Sequence, residues 1–176
     1  MKLRAYYESN GEANGIHCAG CRFLGLGSAI KIYNPQRTTE QTYSTTMHEL
    51  AHASHWRMDK NSYKNSIDKI VESWARRVEW QLTRMVYPDY LGRAPNPGAY
   101  TLIVADMIDG SATASTRTNW GLIDSDGLDA VEGYTIKQIE NTLIGQTSWY
   151  DWRDNIKNKY NNATENNLDV LFGAYR

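Results

Sequence analysis

Residues 48 to 52 read His-Glu-Leu-Ala-His. Two histidines four apart constrain the chain strongly, because they meet only on a helix. At about 3.6 residues per turn, His48 and His52 lie one above the other on one face. Two imidazoles from adjacent turns can then share one metal ion. Glu49 projects about 100° further round, able to reach a water on that metal without being a ligand. The pattern points to zinc and to hydrolysis by an activated water. The alternative is a surface helix that carries two histidines by chance. The flanks favour a helix: Thr38 and Gln41 have capping-box spacing, and Met47, Leu50, Ala51 and Trp56 give a patchy apolar side. Thr42, Thr45 and Thr46 are poor helix formers, so packing must hold this segment helical.

Zinc hydrolases take three protein ligands and leave a fourth position for water. No His-x-x-Gly-x-x-His continuation follows the motif. Met58 stands six after His52 and His55 three after it, which argues against a metzincin. The third ligand comes from elsewhere. Ser62 to Val86 has helical periodicity, with Ile67, Ile70, Val71, Trp74, Val78 and Leu82 on one apolar stripe. Pro88 ends it. Measured from Val71, Glu72 lies at about 100° and Glu79 at about 80°, so both flank the stripe on one side.

The pentapeptide followed by Val71-Glu72-Ser73-Trp74-Ala75 resembles the gluzincins, the thermolysin-like and aminopeptidase-like zinc metallopeptidases. In them a glutamate roughly twenty residues downstream, on the next helix, is the third ligand. Glu72 stands twenty after His52. The resemblance covers about residues 28 to 80. It implies an α+β, zincin-like fold in a single domain over 1–176. A small N-terminal sheet and an active-site helix would precede a mainly helical C-terminal part. It also implies zinc on His48, His52 and Glu72, with Glu49 as general base for a peptide or protein substrate. Two departures stand out. Arg76 occupies the position, four after the ligand glutamate, where thermolysin-like enzymes carry an acid that orients a ligand histidine. Glu79 or Asp68 is left to supply that support. No histidine follows His55, so a tyrosine, an arginine or a backbone amide must stabilise the oxyanion, and the 12 tyrosines leave the choice open. Glu79 is also the alternative third ligand, in which case Glu72 pairs with Arg76 at i,i+4. The missing histidine keeps a second function in play, a non-catalytic cell-surface or binding module on a zincin-like scaffold.

Composition excludes several classes. Lys and Arg number 19 against 20 Asp and Glu, and no basic block appears, so nucleic acid is not an expected partner. No apolar run is long enough for a membrane span, and the first residues lack the apolar core of a signal peptide. The 12 Tyr and 6 Trp against 2 Phe, with many asparagines, suit a secreted or cell-envelope protein, expected as a monomer. Cys18-Ala-Gly-Cys21, with His17 before it, is open to a redox or metal role. A local disulfide, or two thiols pinning the turn, is preferred because no second cysteine pair completes a structural zinc site.

Leu3 to Glu8 and Phe23 to Tyr33 read as extended, with Ser9 to Gly20 a loop between them. Ala29 to Tyr33 alternates like a half-buried strand, and Asn34-Pro35 stops it. The resemblance makes Ser28 to Tyr33 the edge strand that binds peptide by strand addition; an ordinary edge strand is the alternative. Asn96-Pro97 has the form of a helix start before Tyr100, Ile103, Val104, Met107 and Ile108. Gly110 to Asp129 reads as loop, with Asp124 to Gly127 a plain Asp-Gly turn rather than a calcium loop. Thr135 with Gln138 has capping-box spacing, and Gly145 suits a C-cap. Trp149, Trp152, Ile156 and Tyr160 share an apolar face and read as core. A last helix, Leu168 to Phe172, would follow a cap at Asn162 and stop at Gly173.

Overall fold

Residues 2–6, 14–19, 29–33, 38–92, 98–108 and 130–176 are described by the computed structural model. The chain is α+β, with a small mixed sheet followed by helices. The strands are β1 (Lys2–Tyr6), β2 (Gly15–Cys18) and β3 (Ala29–Tyr33), in the order β1-β3-β2. β1 runs parallel to β3, and β2 runs antiparallel to it with Gly15 opposite Ile32 and Cys18 opposite Ala29. Two expectations are corrected here. Ser9 to Gly20 is not all loop, because it contains β2. β3 is not an edge strand, because β2 and β1 flank it on both sides. A four-residue strand containing glycine shows no period of its own. It is extended because β3 offers it a ladder.

Helix α1 (Thr39–Met58) carries the pentapeptide. The Thr38 hydroxyl accepts from the Gln41 N–H at 3.3 Å, one half of a capping box. The Ser44 and Thr45 hydroxyls return to the Gln41 carbonyl at 3.0 and 2.9 Å, and Thr46 to that of Thr42 at 2.8 Å. Poor helix formers thus satisfy their side chains within the helix. β3 packs Ile30 and Ile32 against Ala53, with Leu50 beside them. The helix is covered on most sides: Ser44, Ala51, His52, His55 and Trp56 are all buried. This is why its apolar side looked patchy in the sequence.

At Asp59 the chain leaves the helix with φ −150° and ψ 99°. Its carboxylate accepts from the N–H groups of Asn61 and Ser62, starting α2 (Lys60–Asn65). The single helix expected over 62–86 is therefore two, α2 and α3 (Asp68–Arg84). The break has a tertiary cause. The Ser62 hydroxyl donates to the carbonyls of Leu143 and Gln146, the Ser66 hydroxyl to Gln146, and the Ile67 N–H to Thr147. The expected helix after Pro97 shrinks to α4 (Ile103–Asp106); Asn96 and Pro97 lie outside the described residues, as do Gly110 to Asp129.

Helices α5 (Ile136–Thr142) and α6 (Trp149–Lys159) follow, then a 3-10 turn (Glu165–Asn167) and α7 (Leu168–Ala174). Thr135 and Gln138 form the expected capping box, and Gly145 takes φ +78°. Asn162 does not cap α7, whose N-cap is Asn167, and Gly173 does not stop it. Asn162 instead accepts from the Thr164 N–H before the 3-10 turn. The main core joins Ile70 and Trp74 of α3 to Ile103, Ile139, Trp152 and Phe172. Trp149 and Trp152 are core, as expected, and bury their N–H groups on the Phe172 carbonyl and the Thr142 hydroxyl, each at 2.9 Å. Among the described residues no helix is long and apolar enough to cross a membrane.

Candidate metal centre

α1 and α3 pack side by side and turn polar side chains toward one point. His48 and His52, one turn apart, face each other edge to face with ring centroids 4.7 Å apart. Their Nε2 atoms are 3.1 Å apart, and Glu72 Oε2 lies 3.0 Å from one and 3.4 Å from the other. Ligand bonds of about 2.0–2.1 Å at tetrahedral angles put ligand atoms about 3.3–3.4 Å apart. The triangle is within a few tenths of an ångström of that size. His48, His52 and Glu72 therefore form a group that could hold a metal ion.

The donor chemistry fits as well. His48 Nδ1 lies 3.0 Å from Glu79 Oε2. Nδ1–H donating to that carboxylate leaves the Nε2 lone pair for the centre. Glu79 is fully buried, accepts from the Tyr90 hydroxyl at 2.6 Å and lies 3.6 Å from Arg76 Nη1. Glu79 thus takes the part left open by Arg76, from one further turn along the same helix. Asp68 is exposed in the first turn of α3 and does not take it. Among the described residues His52 has no such support: its Nδ1 is buried without a hydrogen-bond partner there.

The electrostatics draw positive charge inward. Burial alone would lower His48, but hydrogen bonds and charge from Glu72 and Glu79 outweigh it and raise His48 to about 9. Burial would raise Glu72, yet its bonds to His48 and His52 hold it well below the usual carboxylate range. A group of two carboxylates that pulls a proton onto a buried histidine serves a cation in the same way. Glu49 is buried beside the group without belonging to it. Burial raises it above the ordinary glutamate range, against the pull of His52 and His48.

Tyr100 and Tyr63 frame the group, and neither was singled out by sequence reasoning. The Tyr100 ring is 6.0 Å from that of His48, and the Arg76 guanidinium lies 4.7 Å over it. Burial first, then the Glu72 charge, pushes its hydroxyl up to about 12. Tyr63 of α2 sets its ring edge-on to His52 at 6.0 Å and to His55 at 5.3 Å. His55 is fully buried rather than on the surface, and among the described residues neither ring nitrogen has a hydrogen-bond partner. Aromatic abundance was the only sequence signal for these tyrosines. Cys18 is disulfide-bonded; Cys21, the other cysteine, lies outside the described residues. Comparison with family models, curated proteins and solved structures gives no match for this chain.

Proposed function

We propose that this chain is a zinc-dependent metallopeptidase of gluzincin type on a zincin-like scaffold. One observation carries the proposal: His48, His52 and Glu72 converge with tetrahedral spacing while Glu79 fixes the His48 tautomer from behind. The N2O donor set with a carboxylate-backed histidine suits zinc, and it fits the spacing just described. Bound zinc supplies a more acidic water and a polarised carbonyl. Glu49, held ready to accept a proton by its burial, takes one from the attacking water and passes it to the leaving amine. The Tyr100 hydroxyl, beside Glu72, is the donor placed to stabilise the oxyanion in place of the missing histidine.

β2, rather than β3, is the strand placed to align a peptide. The Tyr33 N–H bonds the Asn14 carbonyl at 2.9 Å. By antiparallel alternation Gly15 then turns its N–H and carbonyl, and His17 its carbonyl, away from β3, the groups an added strand would pair with. The disulfide at Cys18 accords with an oxidising, extracellular or envelope location.

The test is Glu49→Gln together with metal analysis. One zinc per chain is expected in both proteins, with turnover of a broad peptide library reduced roughly 10²–10⁴-fold in the variant. Zinc bound by the wild type with no cleavage of the library leaves a non-catalytic metal-binding module. No zinc at all sinks the metallopeptidase and leaves only a module without the metal.

A further inference from the structure

β2 is held to α1 more closely than packing of a short strand requires. A Cβ added at Gly15 would lie 2.7 Å from Thr45 Cγ2, and 2.9 Å from both Cγ and Oε1 of Glu49. Real Cβ contacts are not that short, so only a hydrogen fits between this strand and the Glu49 side chain. Two residues on, the His17 main-chain N–H, turned away from β3, lies near the Glu49 carboxylate and opposes the upward pull of its burial. The His17 ring continues the attachment. Its Nδ1 is 3.4 Å from the Tyr63 hydroxyl, and Tyr63 in turn packs on the His52 ring. Cys18, next along, is disulfide-bonded. A close approach and a neighbouring main-chain N–H therefore fall on one short strand, both beside the Glu49 carboxylate.

We propose that β2 is a main-chain brace for Glu49, with Gly15 and His17 as positioning residues that fix where its carboxylate points. The kinetic consequence rests on the hydrolase reading above. A glutamate on a helix otherwise samples several rotamers, and only some direct an oxygen at a water over the metal centre. The strand blocks rotamers by its proximity and selects one by its N–H. The carboxylate's other lone pairs stay available for the water.

Kinetics of the zinc-loaded full chain test the brace. Gly15→Ala should lower kcat about 100-fold, since a misplacement near 1 Å suffices for that loss. KM and zinc affinity should stay within about threefold of wild type. The visible spectrum of the cobalt-substituted protein should be unaltered, because no ligand is touched. His17→Pro removes the N–H at a position where it does not serve the β3 ladder, and His17→Ala removes only the ring. kcat should be at least about tenfold lower in His17→Pro than in His17→Ala. Wild-type kcat in Gly15→Ala, or equal kcat in the two His17 variants, overturns the brace. So does an altered cobalt spectrum in Gly15→Ala, which would make Gly15 a support of the ligands instead.

Amide exchange supplies a readout that needs neither turnover nor a folded Gly15→Ala. The His17 amide should be protected in the wild type and lose at least about tenfold of that protection in Glu49→Ala, with the Ile16 amide unchanged. Equal protection in both proteins refutes the brace whatever the enzyme does. A protected amide in a zinc-loaded chain that cleaves nothing retires the hydrolase and leaves the brace standing.

Discussion

Glu79→Gln probes the centre most directly, because it changes one atom of a fully buried side chain that lies behind the His48, His52 and Glu72 group. In the native chain Glu79 accepts from His48 Nδ1 at 3.0 Å and from Tyr90 at 2.6 Å, with Arg76 at 3.6 Å. The attraction to Arg76 at 3.6 Å is about 4–5 kcal/mol at an effective dielectric of about 20, before desolvation offsets part of it. The amide keeps an oxygen for His48 but loses that charge. The metal-free protein should lose about 3 kcal/mol of folding stability, the low end for breaking a buried pair. His48 also becomes a less basic ligand. Zinc affinity should fall about 10–100-fold, or about 1.4–2.7 kcal/mol. Urea unfolding of the metal-free protein reads the first number, and competition with a chromophoric chelator reads the second. Glu72→Gln should weaken zinc binding further, because it removes a ligand rather than its support. Equal zinc affinity in wild type and Glu79→Gln would falsify the assignment of Glu79 as the partner of a ligand histidine. A larger loss in Glu79→Gln than in Glu72→Gln would exchange their roles.

Stripping the metal with a chelator should lower the melting temperature by about 10 °C when free zinc had stood near a thousand times its Kd, a linkage of about 4 kcal/mol. An unchanged melt under that treatment means the ion does not bind the folded chain. Tyr100→Phe should retain zinc and lose about 100-fold in kcat; undiminished kcat would remove Tyr100 from oxyanion stabilisation. Burial first, and the His52 charge second, hold His55 down at about 4 against an ordinary 6.5, with Asp59 and Glu140 pulling the other way. Between those values the unfolded chain binds more protons. Stability is thus full above the ordinary value and falls as the pH drops toward the folded one, by up to about 3 kcal/mol. Urea midpoints at about pH 7.5 and about pH 4.5 should show that loss in the wild type and much less of it in His55→Phe. Matching losses in the two proteins would assign it to other groups.

Part of the candidate metal group was legible because it is local. His48 and His52 are one turn apart on α1, a spacing that follows from helix pitch, whereas Glu72, on a separate helix, was reached only through the resemblance. Glu79 was visible as a carboxylate on the right side of α3, yet nothing in the sequence separated ligand from support. That distinction needs the ring of His48, whose two nitrogens face two different carboxylates. The caps at Thr38 and Thr135 were legible for the same local reason. What the sequence hid depends on distant partners. β2 exists because of β3, and the Ser66–Ile67 break exists because of the Leu143–Thr147 turn. Tyr63 and Tyr100 became site residues only once α2 and the segment before α4 were folded against α1 and α3.

The core that supports α3 has a consequence for synthesis. Ile70 and Trp74 share their burial with Ile139, Trp152 and Phe172, which leave the ribosome long after them. The nascent chain therefore displays both histidines and both glutamates before it owns the side chains that hold their helices in place. A metal ion held by this group would be captured selectively only after residues 139 to 172 are made, and a product truncated before them would carry the same side chains without the core that orders their helices.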